Sequence, residues 1–152
     1  MENMFWYKNE HVNCMVGNGA EIPYPDLVNI YGGDKTILED NVFVGPFVEC
    51  QSGVKIGKNS RIQSHSLLCT GVEIGENVFI GHHVVFTNDK RPYVNNEKFV
   101  PEKTIVKNGA SIGSNATILC GITIGAYSLI GAGSVVTKDV PDNTIVKGNP
   151  AK

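Results

Sequence analysis

A chain of 152 residues with 41% hydrophobic and 18% charged side chains suits one soluble globular domain with a sizeable core. Its formal net charge of -2 argues against broad electrostatic binding of nucleic acid or an anionic membrane, while leaving room for a local basic pocket. No apolar run approaches the roughly 18 residues needed to cross a bilayer, and Met1 to Tyr7 lack the basic end and apolar stretch of a signal peptide. A cytoplasmic protein is therefore expected, with no nucleic-acid partner and no membrane partner.

Residues 1–35 follow no short period. They read as an N-terminal capping segment, with Phe5, Trp6, Tyr7, Ile22, Tyr24 and Tyr31 expected to close one end of the fold. The four cysteines, Cys14, Cys50, Cys69 and Cys120, form no C-x-x-C pair and are expected to be free and buried.

From Thr36 a six-residue period takes over. One series runs Leu38, Val44, Cys50, Ile56, Ile62, Leu68, Ile74, Ile80, Phe86, and resumes as Val106, Ile112, Ile118, Ile124, Ile130, Val136; all fifteen are apolar. A second series lies two residues earlier, from Thr36, Val42 and Val48 through Ser60, Ser66 and Val84 to Ala110, Ala116, Ile122, Ser128, Ser134 and Val140. Its members are all small or β-branched. Six is neither the helical period nor a simple alternation along a long strand. Residues i and i−2 of a strand point the same way, so the paired series describe short strands with two inward positions each. Glycine often follows the apolar position, as at Gly45, Gly57, Gly75, Gly113 and Gly125, where a chain turning a corner is expected to gain from lacking Cβ. Three such strands close a triangular coil of 18 residues, and fifteen hexads make five coils. Residues 36–152 thus predict an all-β, left-handed parallel β-helix of the hexapeptide-repeat kind. A β-sandwich would need two-residue hairpin signals and irregular spacing, and the sustained six-residue period argues against it.

Between Phe86 and Val106 the period fails, and a long loop at 87–105 is expected to leave the scaffold. It carries Asn88, Asp89, Lys90 and Arg91, two prolines and two aromatics, which predicts an ordered functional loop.

Ile124-Gly125, Gly131-Ala132-Gly133-Ser134-Val135-Val136-Thr137-Lys138-Asp139-Val140-Pro141 and Gly148-Asn149-Pro150-Ala151-Lys152 resemble the terminal signature of hexapeptide acyltransferases. That resemblance implies a homotrimer with acetyl-CoA in the groove between neighbouring β-helices. It also implies CoA contacts at Ser114, Ala132, Thr137 and Lys138, with Lys147 meeting a CoA phosphate. Ser60-Arg61-Ile62-Gln63-Ser64-His65-Ser66 and Val78-Phe79-Ile80-Gly81-His82-His83-Val84-Val85-Phe86-Thr87-Asn88-Asp89-Lys90-Arg91-Pro92 are similar to the N-acetyltransferases of nucleotide-linked 3-amino sugars. Those enzymes act on dTDP-3-amino-3,6-dideoxyhexoses or UDP-linked 3-amino uronic acids and supply surface-polysaccharide synthesis. The galactoside and maltose O-acetyltransferases carry a catalytic His in the loop after the strand; here Thr87-Asn88-Asp89 stands there, and no His lies beyond His83.

A hydroxyl near neutral pH usually needs a base before it attacks a thioester, whereas an amine needs only to lose its ammonium proton. The missing loop His therefore fits an amino acceptor. Asn88 can hold the amine or a sugar hydroxyl through an amide that both donates and accepts, and Asp89 can bind the ammonium form. His65 is the leading candidate for proton transfer or orientation. It lies 18 residues before His83 and so stacks with it, with His82 adjacent. Lys90 and Arg91 are expected to meet a sugar-nucleotide diphosphate.

The competing readings are a sugar O-acetyltransferase of the galactoside or maltose type and a non-catalytic β-helix that binds or supports other molecules. A zinc carbonic anhydrase on the same fold would need three converging His. His65, His82 and His83 lack that spacing, so no metal is expected.

Overall fold

The computed structural model describes residues 4–9 and 11–152; the Met1-Glu2-Asn3 start and the side chain of Phe5, one of the expected capping aromatics, lie outside the described residues. The chain is a left-handed parallel β-helix with three faces, built almost wholly from two-residue strands. The first face stacks Ile37-Leu38, Lys55–Ile56, Val72–Ile74, Thr104–Val106 and Thr123–Ile124. The second stacks Phe43–Val44, Arg61–Ile62, Phe79–Ile80, Ser111–Ile112, Leu129–Ile130 and Ile145–Val146. The third stacks Asn29-Ile30, Glu49–Cys50, Leu67–Leu68, Val85–Phe86, Thr117–Ile118 and Val135–Val136. No helix among the described residues is long and apolar enough to cross a membrane.

Both six-residue series point inward. Every member from Leu38 to Val136 is buried, and so is every member from Thr36 to Val140. The serines in the second series keep their hydrogen bonds: Ser60 Oγ donates to Gly75 O at 2.8 Å and Ser66 Oγ donates to Gly81 O at 2.8 Å. A hydroxyl paired in this way escapes most of the penalty for burying a polar group. The interior is thus a column of aliphatic ladders in which each side chain meets its equivalents one coil above and below.

The glycine expectation needs correction. The corner residues with left-handed backbone lie two positions further on, at Phe47, Gly53, Asn59, His65, Gly71, Asn77 and His83, with φ between 55° and 94°. Gly57 and its equivalents Gly45, Gly75, Gly113 and Gly125 are absent from that conformation. They are glycine because the next coil passes too close: a Cβ on Gly57 would sit 2.5 Å from the carbonyl carbon of Gly75.

The repeat also begins and resumes earlier than its pattern suggests. Val12–Val16 pairs in parallel with Asn29–Leu38, and Val12, Cys14, Val16, Val28 and Ile30 enter the same core. Tyr7 and Ile22 pack against that core, while Trp6, Tyr24 and Tyr31 stay largely exposed, so aliphatic side chains close this end more than aromatic ones do. After the loop, Thr104 already pairs with Val72, so the excursion spans 87–103 and not 87–105.

All four cysteines are free and buried. Burial pushes the Cys14 thiol up to about 12 and Cys50 higher still. Because the thiolate is the reactive form, the folded protein should resist alkylation by iodoacetamide near neutral pH, and all four thiols should react once it is unfolded in guanidinium. Rapid labelling of the native protein, read by mass spectrometry, would contradict this packing.

Candidate active site

The third face is flanked by two edges of different chemistry. One is the corner it shares with the second face. There the in-register stacking of Arg61, Phe79, Ser111 and Leu129 brings Ser64, His82, Ser114 and Ala132 into one row. The Ser64 hydroxyl and His82 Nδ1 are 2.8 Å apart, and the His82 backbone N–H donates to Ser114 Oγ at 3.2 Å. Beside that row the rings of His65 and His83 stack at 4.5 Å between centroids and 12° between planes, with Phe47 4.7 Å beyond His65. His65 and His83 hold φ of 63° and 57°, a conformation that costs a side chain with a Cβ about 1 kcal/mol. All three imidazoles are exposed. They sit in a turn, which leaves His82 and His83 free to face the same solvent.

The same edge continues past Ala132 to Lys147. Lys147 follows Ile145–Val146 as Gly131 follows Leu129–Ile130. Gly133, next to Ala132, has no heavy atom within 4 Å of where its Cβ would stand. A ligand can therefore reach the backbone here, and the small side chains at 114, 132 and 133 suit an extended chain lying along the axis.

The other edge is the corner between the third and first faces, where the loop leaves. Thr87 Oγ1 accepts from Cys120 N at 3.1 Å, and Glu102 N donates to Asn88 O at 3.2 Å, so the two ends of the loop are clamped. Asn88 Nδ2 reaches back two coils to Gln51 Oε1 at 3.5 Å, an oxygen that also accepts from Thr70 N at 3.1 Å. Asp89 Oδ1 accepts from Arg91 N at 2.7 Å and shapes the turn. Lys90 Nζ lies 2.7 Å from Glu102 Oε2, and that hydrogen bond holds the Lys90 ammonium above the usual lysine range. Lys90 is therefore committed inside the loop, whereas Arg91 is exposed and makes no ion pair among the described residues. Thr137 and Lys138 follow Val135–Val136 and lie on this edge too, below Asn88 and Cys120.

The sequence-predicted residues thus divide. His65, His82, His83, Ser114, Ala132 and Lys147 share one edge; Asn88, Asp89, Lys90, Arg91, Thr137 and Lys138 share the other. His83 and Asn88 are separated by five residues of near-extended chain, about 15 Å. Sequence reasoning missed Ser64 and Gln51. Ser64 was findable, since it stands 18 residues before His82; Gln51 was not, because its 37-residue separation from Asn88 fits no multiple of six. A concavity of about 660 Å³ lies elsewhere, on the first face between Ile56, Glu73, Ile105 and Tyr127. It holds no imidazole and is crossed by the Lys55–Glu73 ion pair, so it is less suited to acyl transfer.

A family model described as bacterial transferase hexapeptide (six repeats) matches residues 54–88 and 103–138, leaving out the loop, and one described as the hexapeptide repeat of succinyl-transferase matches 35–64. The bifunctional protein GlmU of Thermotoga petrophila is 31% identical over 153 residues, which is 90% of this chain and 32% of that protein. The chain spans about a third of the length of such curated relatives. A dTDP-3-amino-3,6-dideoxy-alpha-D-galactopyranose 3-N-acetyltransferase of Aneurinibacillus thermoaerophilus is 58% identical over 50 residues, 33% of this chain and 26% of that one. Among solved structures, a hexapeptide-repeat-containing acetyltransferase of Vibrio cholerae is 30% identical with a TM-score of 0.67, covering 74% of this chain and 69% of its own. The same protein complexed with acetyl coenzyme A superimposes with a TM-score of 0.68 at 29% identity, over 78% of this chain and 68% of its own. With its repeats matched on both sides of the interrupting loop, the chain belongs to the bacterial hexapeptide-repeat transferase family.

Proposed function

We propose that the chain is an acetyl-CoA-dependent N-acetyltransferase that acts on the amino group of a nucleotide-linked amino sugar, of the 3-amino kind, for surface-polysaccharide synthesis. The observation that carries this reading is the loop base, where Thr87-Asn88-Asp89 offers an amide and a carboxylate and no imidazole. The 58% identity to a 3-N-acetyltransferase over 50 residues supports it. The division of the candidate residues between two edges supports a homotrimer with sites between subunits. A neighbouring copy can set the Asn88 edge of one chain against the His65 edge of the next.

In this reading acetyl-CoA lies along Ser114, Ala132 and the open backbone at Gly133, with Lys147 at its phosphate end. Asn88 holds the acceptor nitrogen against the thioester carbonyl. The neutral amine attacks, a C–N bond forms, and the C–S bond breaks. The amine proton passes to the departing thiolate, so CoA leaves as its thiol and no side chain need remain protonated. His65, with His82 and His83, orients the acceptor or relays that proton. Arg91 meets the diphosphate, with Asp89 shaping the turn that presents it.

A sugar O-acetyltransferase is the second reading, and it rests on His82, whose Nδ1 is fixed by Ser64 and whose Nε2 is free to serve as a base for a hydroxyl. A thiol-release assay separates the two. CoA release is expected with dTDP- or UDP-linked amino sugars and not with galactosides or maltose. Release with the hydroxyl sugars alone would replace the proposal with the second reading. No release with any acceptor, together with no thermal shift on adding acetyl-CoA, would make the chain a non-catalytic β-helix.

A further inference from the structure

The outward row of the third face reads Asn29, Glu49, Leu67, Val85, Thr117 and Val135. Glu49 is the one charge in that row, and it forms no ion pair among the described residues. A half-buried carboxylate above a leucine and a valine is costly unless something cationic covers it. What holds it are neutral donors: Tyr31 Oη donates to Glu49 Oε1 at 3.3 Å, and Gln51 Nε2 donates to the same oxygen at 3.3 Å. Burial and the neighbouring Glu49 raise the Tyr31 phenol, so it keeps its proton and stays a donor. Gln51 then turns its other end toward Asn88, whose Nδ2 donates to Gln51 Oε1. Tyr31, Glu49, Gln51 and Asn88 are therefore one connected string along the loop edge.

The string has a direction. Its internal bonds fill Gln51 Oε1, which accepts from both Thr70 N and Asn88 Nδ2, and take one N–H of each amide. Glu49 Oε2 and Asn88 Oδ1 are left with no hydrogen-bond partner among the described residues. Both free atoms are acceptors. A neutral hydroxyl brings one donor, whereas an ammonium brings three and a positive charge. Of the other two carboxylates at the loop base, Glu102 is ion-paired with Lys90, and Asp89 Oδ1 accepts from the Arg91 backbone N–H, which ties it to the turn of its own loop.

We infer that Glu49 is the carboxylate that receives the acceptor's ammonium group, with Gln51 as the positioning residue that couples it to Asn88 and fixes the amide oxygen outward. This rests on the amino-sugar reading and deepens it. Glu49 captures the protonated amine that predominates near neutral pH, and the neutral amine then attacks beside Asn88. It also gives the third face a selectivity against neutral acceptors that the loop alone does not supply.

The test is Glu49→Gln in the full chain, which keeps size and shape and removes the charge. KM for the amino-sugar nucleotide is expected to rise on the order of 10- to 100-fold, while KM for acetyl-CoA and Ki for the matching hydroxyl sugar nucleotide, used as an inhibitor, stay within about two-fold. An unchanged KM, or an equal loss for the amino sugar and its hydroxyl analogue, overturns the inference and leaves the amino-sugar function standing. A wild-type protein that acetylates no amino sugar overturns both. Gln51→Met should lower kcat in the wild type and have no further effect in an Asn88→Ala background. Independent losses from the two substitutions would remove Gln51 from the positioning role.

Discussion

Asn88→Ala is expected to lower kcat/KM for an amino-sugar nucleotide on the order of 100-fold, with acetyl-CoA binding nearly unchanged. Asn88 stands where the chain departs from the helix, clamped through its own carbonyl to Glu102 N and through its side chain to Gln51. Those contacts fix the amide without burying it, so the substitution removes an oriented group and little packing. The melting temperature should barely move. Cys69→Ala is the matched control, because Cys69 is a buried thiol at the same corner of the preceding coil. That change removes a small apolar group at a cost of about 1 kcal/mol and should leave kcat/KM close to wild type. Equal activities in the two variants would sink the assignment of the loop base to the acceptor. His65→Ala then apportions the proton. If the thiolate takes it up, the pH profile keeps its shape when the stacked imidazole is lost.

The fold was legible because burial along the coils is periodic. Each hexad repeats one inward pair and one corner, so burial and sequence carry the same period, and every member of both series is buried. Three things escaped, each for a physical reason. The partial coil built from Val12–Val16 and Asn29–Leu38 carries register shifts, so its inward residues do not recur at six. Thr104 belongs to the inward series but is a polar residue standing beside a polar loop, and its Oγ1 finds no partner. The Asn88–Gln51 contact crosses two coils through side chains of unequal reach, and no spacing rule describes it. The site was legible as residue types but not as a constellation. The period placed His65 on His83 and Ser114 on Ala132. It says nothing about which of the two edges an acceptor and acetyl-CoA would share.

The glycines separate two accounts of why corners carry glycine, and Gly57→Ala against Gly53→Ala, at successive corners, decides between them. If glycine were needed for conformational freedom, Gly53 would be the costly site, since its φ is +86°. Yet a Cβ there meets nothing within 4 Å, so alanine should cost only the left-handed penalty of about 1 kcal/mol. Gly57 has no such φ, but its Cβ would stand 2.5 Å from Gly75 C, 2.6 Å from Gly75 O and 2.8 Å from Glu76 N. These are backbone atoms held by the ladder, in which Gly57 N donates to Ile74 O at 2.8 Å and Gly75 N donates to Val106 O at 2.7 Å. They cannot give way without lengthening the bonds that set the coil spacing. Gly57→Ala should therefore cost roughly 2–4 kcal/mol, the range of an overpacked core. Urea unfolding of the two variants reads the difference directly. A larger loss at Gly53 than at Gly57 would return the corner to an explanation by backbone freedom. The expected order would mean that close stacking of coils, and not the bend itself, selects glycine where it follows a core residue.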